Sequence, residues 1–100
     1  MRDRDLIQIA TEYRNGLLGG RSSLNQCAIV TYSLCGFLRM CGVECETEEP
    51  PEGHVYLRLA DGRVLDATAD QFNDRLEEHG LTEPLPPVYL GPSKAIHAAA

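Results

Sequence analysis

Ala60-Asp61-Gly62 lies between two stretches of alternating residue character, His54–Leu59 and Arg63–Thr68, and no other feature constrains the fold as tightly. Alternation marks strands, and a short Gly-containing connector between two of them marks a β-hairpin. The register then decides which side chains share a face, because a one-residue slip turns every side chain over. A two-residue Asp61-Gly62 turn would set Leu57 opposite Asp66 and leave that carboxylate among leucines, a costly place for a charge. A three-residue loop, with Gly62 in the left-handed conformation of a bulge, sets Leu59 opposite Arg63 and Tyr56 opposite Asp66. Val55, Leu57, Leu59, Leu65 and Ala67 then make one face, and His54, Tyr56, Arg58, Val64, Asp66 and Thr68 the other. The apolar pattern selects this second register. It makes His54 the diagonal neighbour of Asp66, about 7–8 Å away between backbones and within side-chain reach.

Around the hairpin the chain alternates between helical and extended patterns. Leu6, Ile9, Ala10, Tyr13 and Leu17 recur at helical spacing, predicting a first helix over 4–18 that stops at Gly19-Gly20. A second helix is expected over about 24–41, ending at Gly42. It is apolar around most of its circumference, as a central buried helix would be, with Cys27, Thr31, Leu34, Leu38 and Cys41 along one stripe. Val43–Thr47 reads as a short strand, Gln71–Gly80 as a short helix, and Val88–Leu90 as a last strand after the stiff Pro84, Pro86, Pro87 connector. The order predicts an α+β fold: N-terminal helices, with a central Cys-bearing helix packed on a small antiparallel sheet. Residues 1–92 are expected to form a single domain and 93–100 a frayed C-terminal tail.

Cys27 is the reactive candidate. Ser23-Leu24-Asn25-Gln26 reads as a capping box, with the Ser23 hydroxyl accepting from the Gln26 N–H and the Gln26 side chain reaching back. That places Cys27 about one turn into the helix, near unpaired N–H groups and the positive end of the dipole, a setting that favours thiolate. The competing view is a packing role, since free cysteine is among the most buried residue types. His54 and Asp66 supply what a cysteine nucleophile needs: a base, and a carboxylate that orients the base. Tyr56 is read as packing over this site. The Cys27 backbone N–H is the first candidate to receive an oxyanion, with the Asn25 or Gln26 side chain second. His79, at a helix end, and His97, in the tail, are assigned no role.

Composition removes several classes of function. A formal charge of −6, with no basic stripe, argues against a nucleic-acid partner. No apolar run approaches the roughly 18 residues of a membrane span, and the charged Met1–Asp5 start leads into no signal-like segment, so a cytoplasmic protein is expected. In that setting Cys27, Cys35, Cys41 and Cys45 are expected as thiols rather than disulfides. Their spacings fit no zinc knuckle, and Glu44, Glu46, Glu48, Glu49 and Glu52 read as a solvated edge, so no metal and no cofactor is called for.

Asn25-Gln26-Cys27, His54-Val55-Tyr56 and Asp66-Ala67-Thr68 together resemble the papain-like superfamily on its transglutaminase-like side. The stretch from Gly53 to Gln71, and on to Pro87-Val88-Tyr89-Leu90-Gly91, is also similar to bacterial proteins with a His-x-Trp and Asp-x-Thr-Ala-Asp-Gln-Phe pattern. The resemblance covers about residues 22–91. It implies a Cys27-His54-Asp66 triad acting at an amide bond of a protein, peptide or small amide, as a hydrolase, deamidase or acyltransferase. Two positions depart from it: Tyr56 stands where Trp is usual, and Asn25 where many relatives carry Gly. The alternative is a non-catalytic binding or scaffold domain of the same fold. A homodimer could then use Val55, Leu57 and Leu65, provided helix 1 leaves that face open.

Overall fold

The computed structural model describes residues 1–50 and 53–97. Two helices come first, α1 (Asp3–Leu18) and α2 (Cys27–Met40), followed by strands β1 (Cys45–Glu48), β2 (Tyr56–Leu59), β3 (Val64–Asp66) and β4 (Tyr89–Gly91). The strands form one antiparallel sheet in chain order, β1-β2-β3-β4. Within the central hairpin Leu57 faces Leu65 and Arg58 faces Val64. The Leu59 N–H bonds Arg63 O at 2.9 Å and Gly62 has φ 92°, so the three-residue bulged loop is the one adopted. The expected α+β architecture with an antiparallel sheet is the observed one.

Helices cover one face of the sheet. Leu57, Leu59, Leu65, Ala67 and Val88 from the sheet side meet Leu6, Ala10 and Leu18 of α1 and Val30, Leu34 and Leu38 of α2 in one core. Because Leu57 and Leu65 are buried there, and Val55 is buried as well, that face offers no dimer surface. The opposite face carries Tyr56, Val64 and Asp66, all buried. Tight 3-10 turns at Ala69–Arg75 and Glu77–His79 stand where a short helix was expected. The Asn73 side chain bonds both backbone groups of Leu85 at 2.9 Å, anchoring this region to the proline connector. Ala69, Leu81 and Leu85 form a second small cluster with Phe72, Tyr89 and Ile96.

Four more sequence expectations are corrected. Helix α2 starts at Cys27 rather than 24, for reasons given below. It is also a surface helix rather than a central one: Ile29, Tyr32, Phe37, Met40 and Cys41 are exposed, because only one helical layer exists to bury it. Residues 93–97 are not frayed. Ala95–His97 make a 3-10 turn, and His97 is 1% exposed. Strand β1 begins two residues late because the Val43 N–H is still bonded to Leu38 O of the helix end at 2.9 Å. Among the described residues no helix is long and apolar enough to cross a membrane.

Candidate active site

Asp66 is the fixed point of the site. Its carboxylate is fully buried, and burial alone would raise its pKa. Hydrogen bonds outweigh that. Oδ2 lies 2.7 Å from His54 Nε2 and 2.7 Å from His97 Nε2. Oδ1 accepts from the Thr68 N–H at 3.0 Å and faces the Thr68 hydroxyl at 3.5 Å. With two imidazoles donating to one oxygen, the carboxyl is held down at about 2. Asp66 is therefore a buried anion with its acceptor positions filled, which is what makes its burial tolerable.

His54 lies just ahead of β2, packed edge-on against Phe72 at 4.7 Å between ring centroids and tilted toward Tyr56 at 5.9 Å. Desolvation would lower its pKa, but Asp66 and then the Cys27 thiol reverse the sign and raise it to about 9. One ring nitrogen is committed to Asp66. The other, Nδ1, is buried and has no hydrogen-bond partner among the described residues. An orphaned buried nitrogen on a basic imidazole is unusual and points to a group it serves.

The ionisable group it perturbs is Cys27. The half-buried thiol at the first position of α2 lies 3.7 Å from the Gly53 carbonyl, which immediately precedes His54. Thiol and imidazole fall outside strict hydrogen-bond geometry, yet the His54 ring lowers the Cys27 pKa against the effect of burial. The backbone N–H groups of Val55 and Ala28 act in the same direction. By contrast burial and Cys35 push Cys45 up to about 11. Cys35 and Cys45 are buried 3.9 Å apart, Sγ to Sγ, and Cys41 is exposed. Cys27 and Cys45 thus occupy opposite electrostatic settings, and that of Cys27 favours the thiolate.

The helix start that places Cys27 is not the predicted capping box. Ser23 Oγ donates instead to Asp70 Oδ1 at 2.7 Å, an aspartate also bound by the buried Arg14 at 3.3 Å. Ser23–Gln26 is a turn, closed by the Gln26 N–H on Ser23 O at 3.0 Å, and the first helical bond runs from Val30 N–H to Gln26 O. No side chain caps α2. Asn25 has φ 60°, the left-handed conformation, which among residues with a side chain Asn tolerates best. Its N–H donates to Gln71 Oε1 at 3.2 Å, and Gln71 Nε2 donates to Thr68 Oγ1 at 3.0 Å. A polar chain therefore runs from the loop before Cys27 to the residue that grips Asp66.

Of the residues expected at the site, Cys27, His54 and Asp66 come together. Asn25 contributes backbone shape rather than a side-chain contact. Gln26 is relieved of capping and makes no side-chain hydrogen bond among the described residues. Tyr56 is fully buried, its hydroxyl 2.7 Å from His97 O and 2.9 Å from Glu48 Oε2. Glu48 is in turn paired with Arg58, so both belong to a bonded network rather than a solvated edge. Glu52 lies outside the described residues. Sequence reasoning missed His97, Gln71 and Phe72. The Asp-x-Thr-Ala-Asp-Gln-Phe stretch contained the last two; His97 carried no pattern at all.

His54, Asp66 and His97 also present potential metal-ligand atoms within 4.8 Å of one another. Their 2.7 Å contacts are hydrogen-bond distances, and both rings share a single oxygen. Donors about one tetrahedral ion with bonds near 2.0–2.1 Å would stand roughly 3.3 Å apart. The arrangement is a hydrogen-bonded relay. No protein-family model, curated protein or solved structure matches the chain.

Proposed function

We propose that the protein is a cysteine-dependent enzyme acting at amide bonds, built on a papain-like, transglutaminase-like core. One observation carries the reading: His54 spends Nε2 on the buried Asp66 and leaves Nδ1 without a hydrogen-bond partner among the described residues, beside a thiol of lowered pKa. Attacker, base and orienter then have separate roles. The Cys27 sulfur attacks the carbonyl carbon after its proton passes to His54 Nδ1. The C–N bond breaks as that proton moves to the departing amine, leaving a thioester on Cys27. Water or a second amine attacks the thioester, His54 accepts its proton, and the thiolate leaves. Asp66 stays ionised throughout, holding the ring with its proton-transferring nitrogen toward sulfur. The Cys27 N–H, at the start of a helix with no side-chain cap, is placed to receive the developing oxyanion.

A binding-domain reading draws on a different observation, the exposed Ile29, Tyr32 and Met40 on the outer face of α2. One experiment separates the two. Iodoacetamide labelling is followed at each cysteine by mass spectrometry from pH 5 to 10, alongside turnover of a panel of N-acyl anilides. The enzyme reading expects Cys27 to label fastest at neutral pH, ahead of the more exposed Cys41, and a Cys27 thioester to be trapped by hydroxylamine. Labelling at Cys27 no faster than at Cys41, together with no thioester, would reject it.

A further inference from the structure

His97 is a buried polar side chain that the mechanism above does not use. Its ring is 1% exposed, stacked on Tyr89 at 5.7 Å and edge-on to Tyr56 at 4.7 Å between centroids. Packing alone would be served better by an apolar residue, since a buried imidazole must have both nitrogens satisfied. Both are satisfied here. Nδ1 accepts the Lys94 N–H at 3.0 Å, which leaves the ring proton on Nε2, and Nε2 is the atom 2.7 Å from Asp66 Oδ2. The backbone of the same residue is fastened too, because His97 O accepts the Tyr56 hydroxyl at 2.7 Å. Ser93, earlier in the segment, accepts from Arg58 at 3.0 Å. The segment is thus held to the sheet at several points, and the histidine it delivers meets the one carboxylate oxygen that His54 needs.

We propose that His97 is a positioning residue of the Cys27–His54–Asp66 site: it donates Nε2–H to the oxygen of Asp66 shared with His54 and fixes where that oxygen sits. The proposal rests on the reading of Cys27 as a nucleophile. Without His97, Oδ2 has an unfilled acceptor position, and the carboxylate, then held only by Thr68 at Oδ1 and by His54 itself, has more freedom to tilt away from His54. The His54 ring then loses the contact that aims Nδ1 at sulfur. His97 acts on the thiol only through this relay, as groups behind a reactive site do. The ionisable groups facing the pair are His54 ahead of β2, Tyr56 on β2, Glu48 on β1 through the Tyr56 hydroxyl, Tyr89 on β4 and Lys94 on the same segment.

The test uses the full chain and reads the pH dependence of Cys27 alkylation by iodoacetamide, residue by residue, in the natural protein, His97→Ala and His97→Gln. His97→Ala is expected to slow Cys27 alkylation at pH 7 by about tenfold and move its midpoint toward that of an ordinary thiol. His97→Gln, whose amide N–H reaches the same oxygen, should recover most of the loss. If His97→Ala melts earlier but keeps the natural alkylation profile, His97 is a packing residue and the proposal is overturned. Should His97→Ala fail to fold, nitrogen NMR of the natural protein decides: the proposal requires a protonated Nε2 and an unprotonated Nδ1, and the reverse pattern rejects it. A natural Cys27 that reacts no faster than Cys41 removes the nucleophile itself and this inference with it. A fast natural Cys27 with an unchanged His97→Ala profile removes only the role of His97.

Discussion

Thr31 donates its hydroxyl to Val55 O at 3.1 Å, a buried bond between the helix that carries Cys27 and the segment that carries His54. Thiol and imidazole sit on separate elements, so their spacing depends on how firmly those elements are joined. Thr31→Val keeps the shape and removes the donor. We expect a stability loss of about 1–2 kcal/mol in urea unfolding, with slower Cys27 alkylation at neutral pH. Unchanged alkylation would show that hydrophobic packing of α2 suffices to hold the spacing.

Opposite pKa shifts at His54 and Asp66 give the protein a stability window. His54 is raised to about 9, so its contribution is complete below its unfolded value near 6.5 and is lost as pH climbs through 9. Asp66 is lowered to about 2, so its contribution is complete above its unfolded value near 4 and is lost as pH falls through 2. The melting temperature should therefore be highest between about pH 4 and 6.5, with a long decline on the alkaline side. Asp66→Asn should flatten both limbs and lower the maximum, because its amide N–H would confront either the imidazoles or the Thr68 N–H. A melting profile equally steep in that variant would sever the link between the pair and the window.

Asn25 holds φ 60° in the loop that delivers Cys27. Glycine enters that conformation without strain, whereas a β-branched residue pays for it in full. Asn25→Gly should leave stability within about 0.5 kcal/mol, and Asn25→Val should cost about 1–2 kcal/mol. Thermal melts of the two variants check this, and equal losses would mean that the Asn25 side chain matters more than its backbone angle.

The hairpin was legible in sequence because two local signals agreed. Alternation told the faces apart, and Gly62 supplied the left-handed residue of the bulge. That much also placed His54 and Asp66 on one face. The start of α2 was not legible. Ser23 has the sequence appearance of a cap, but it found Asp70, 47 residues away, and a partner at that distance leaves no local trace. His97 was illegible for the same reason, joined to Asp66 across 31 residues with no periodicity around it. The outer face of α2 was misread because apolar residues all around a helix suggest burial, while among the described residues no further layer packs on that face.

Leu34 lies in the helical core, wholly buried among apolar side chains. Leu34→Ala should cost about 2–5 kcal/mol through the lost burial and the cavity left behind. In conditions where the variant is still folded, its Cys27 alkylation midpoint should match the natural protein. A displaced midpoint would show that core packing and thiol chemistry are coupled.

The sheet is a meander in which every strand pairs with its neighbour in the chain. Its kinetic consequence falls on the site. His54 and Asp66 are 12 residues apart, whereas Cys27 meets Gly53 across 26 and His97 meets Asp66 across 31. Closing a short loop costs less entropy than closing a long one, and contacts close in sequence form sooner. During refolding His54 and Asp66 should therefore pair first, with the Cys27 sulfur arriving on its helix afterwards. Pulsed labelling would record this as protection of the Leu59 amide from hydrogen exchange ahead of protection of the Cys35 thiol, buried where α2 packs in the core, from alkylation, and the reverse order would refute it. A chain that builds in this sequence keeps Cys27 away from His54 until the surrounding structure is in place, so a thiol activated as proposed above would spend little time in an open, easily oxidised state.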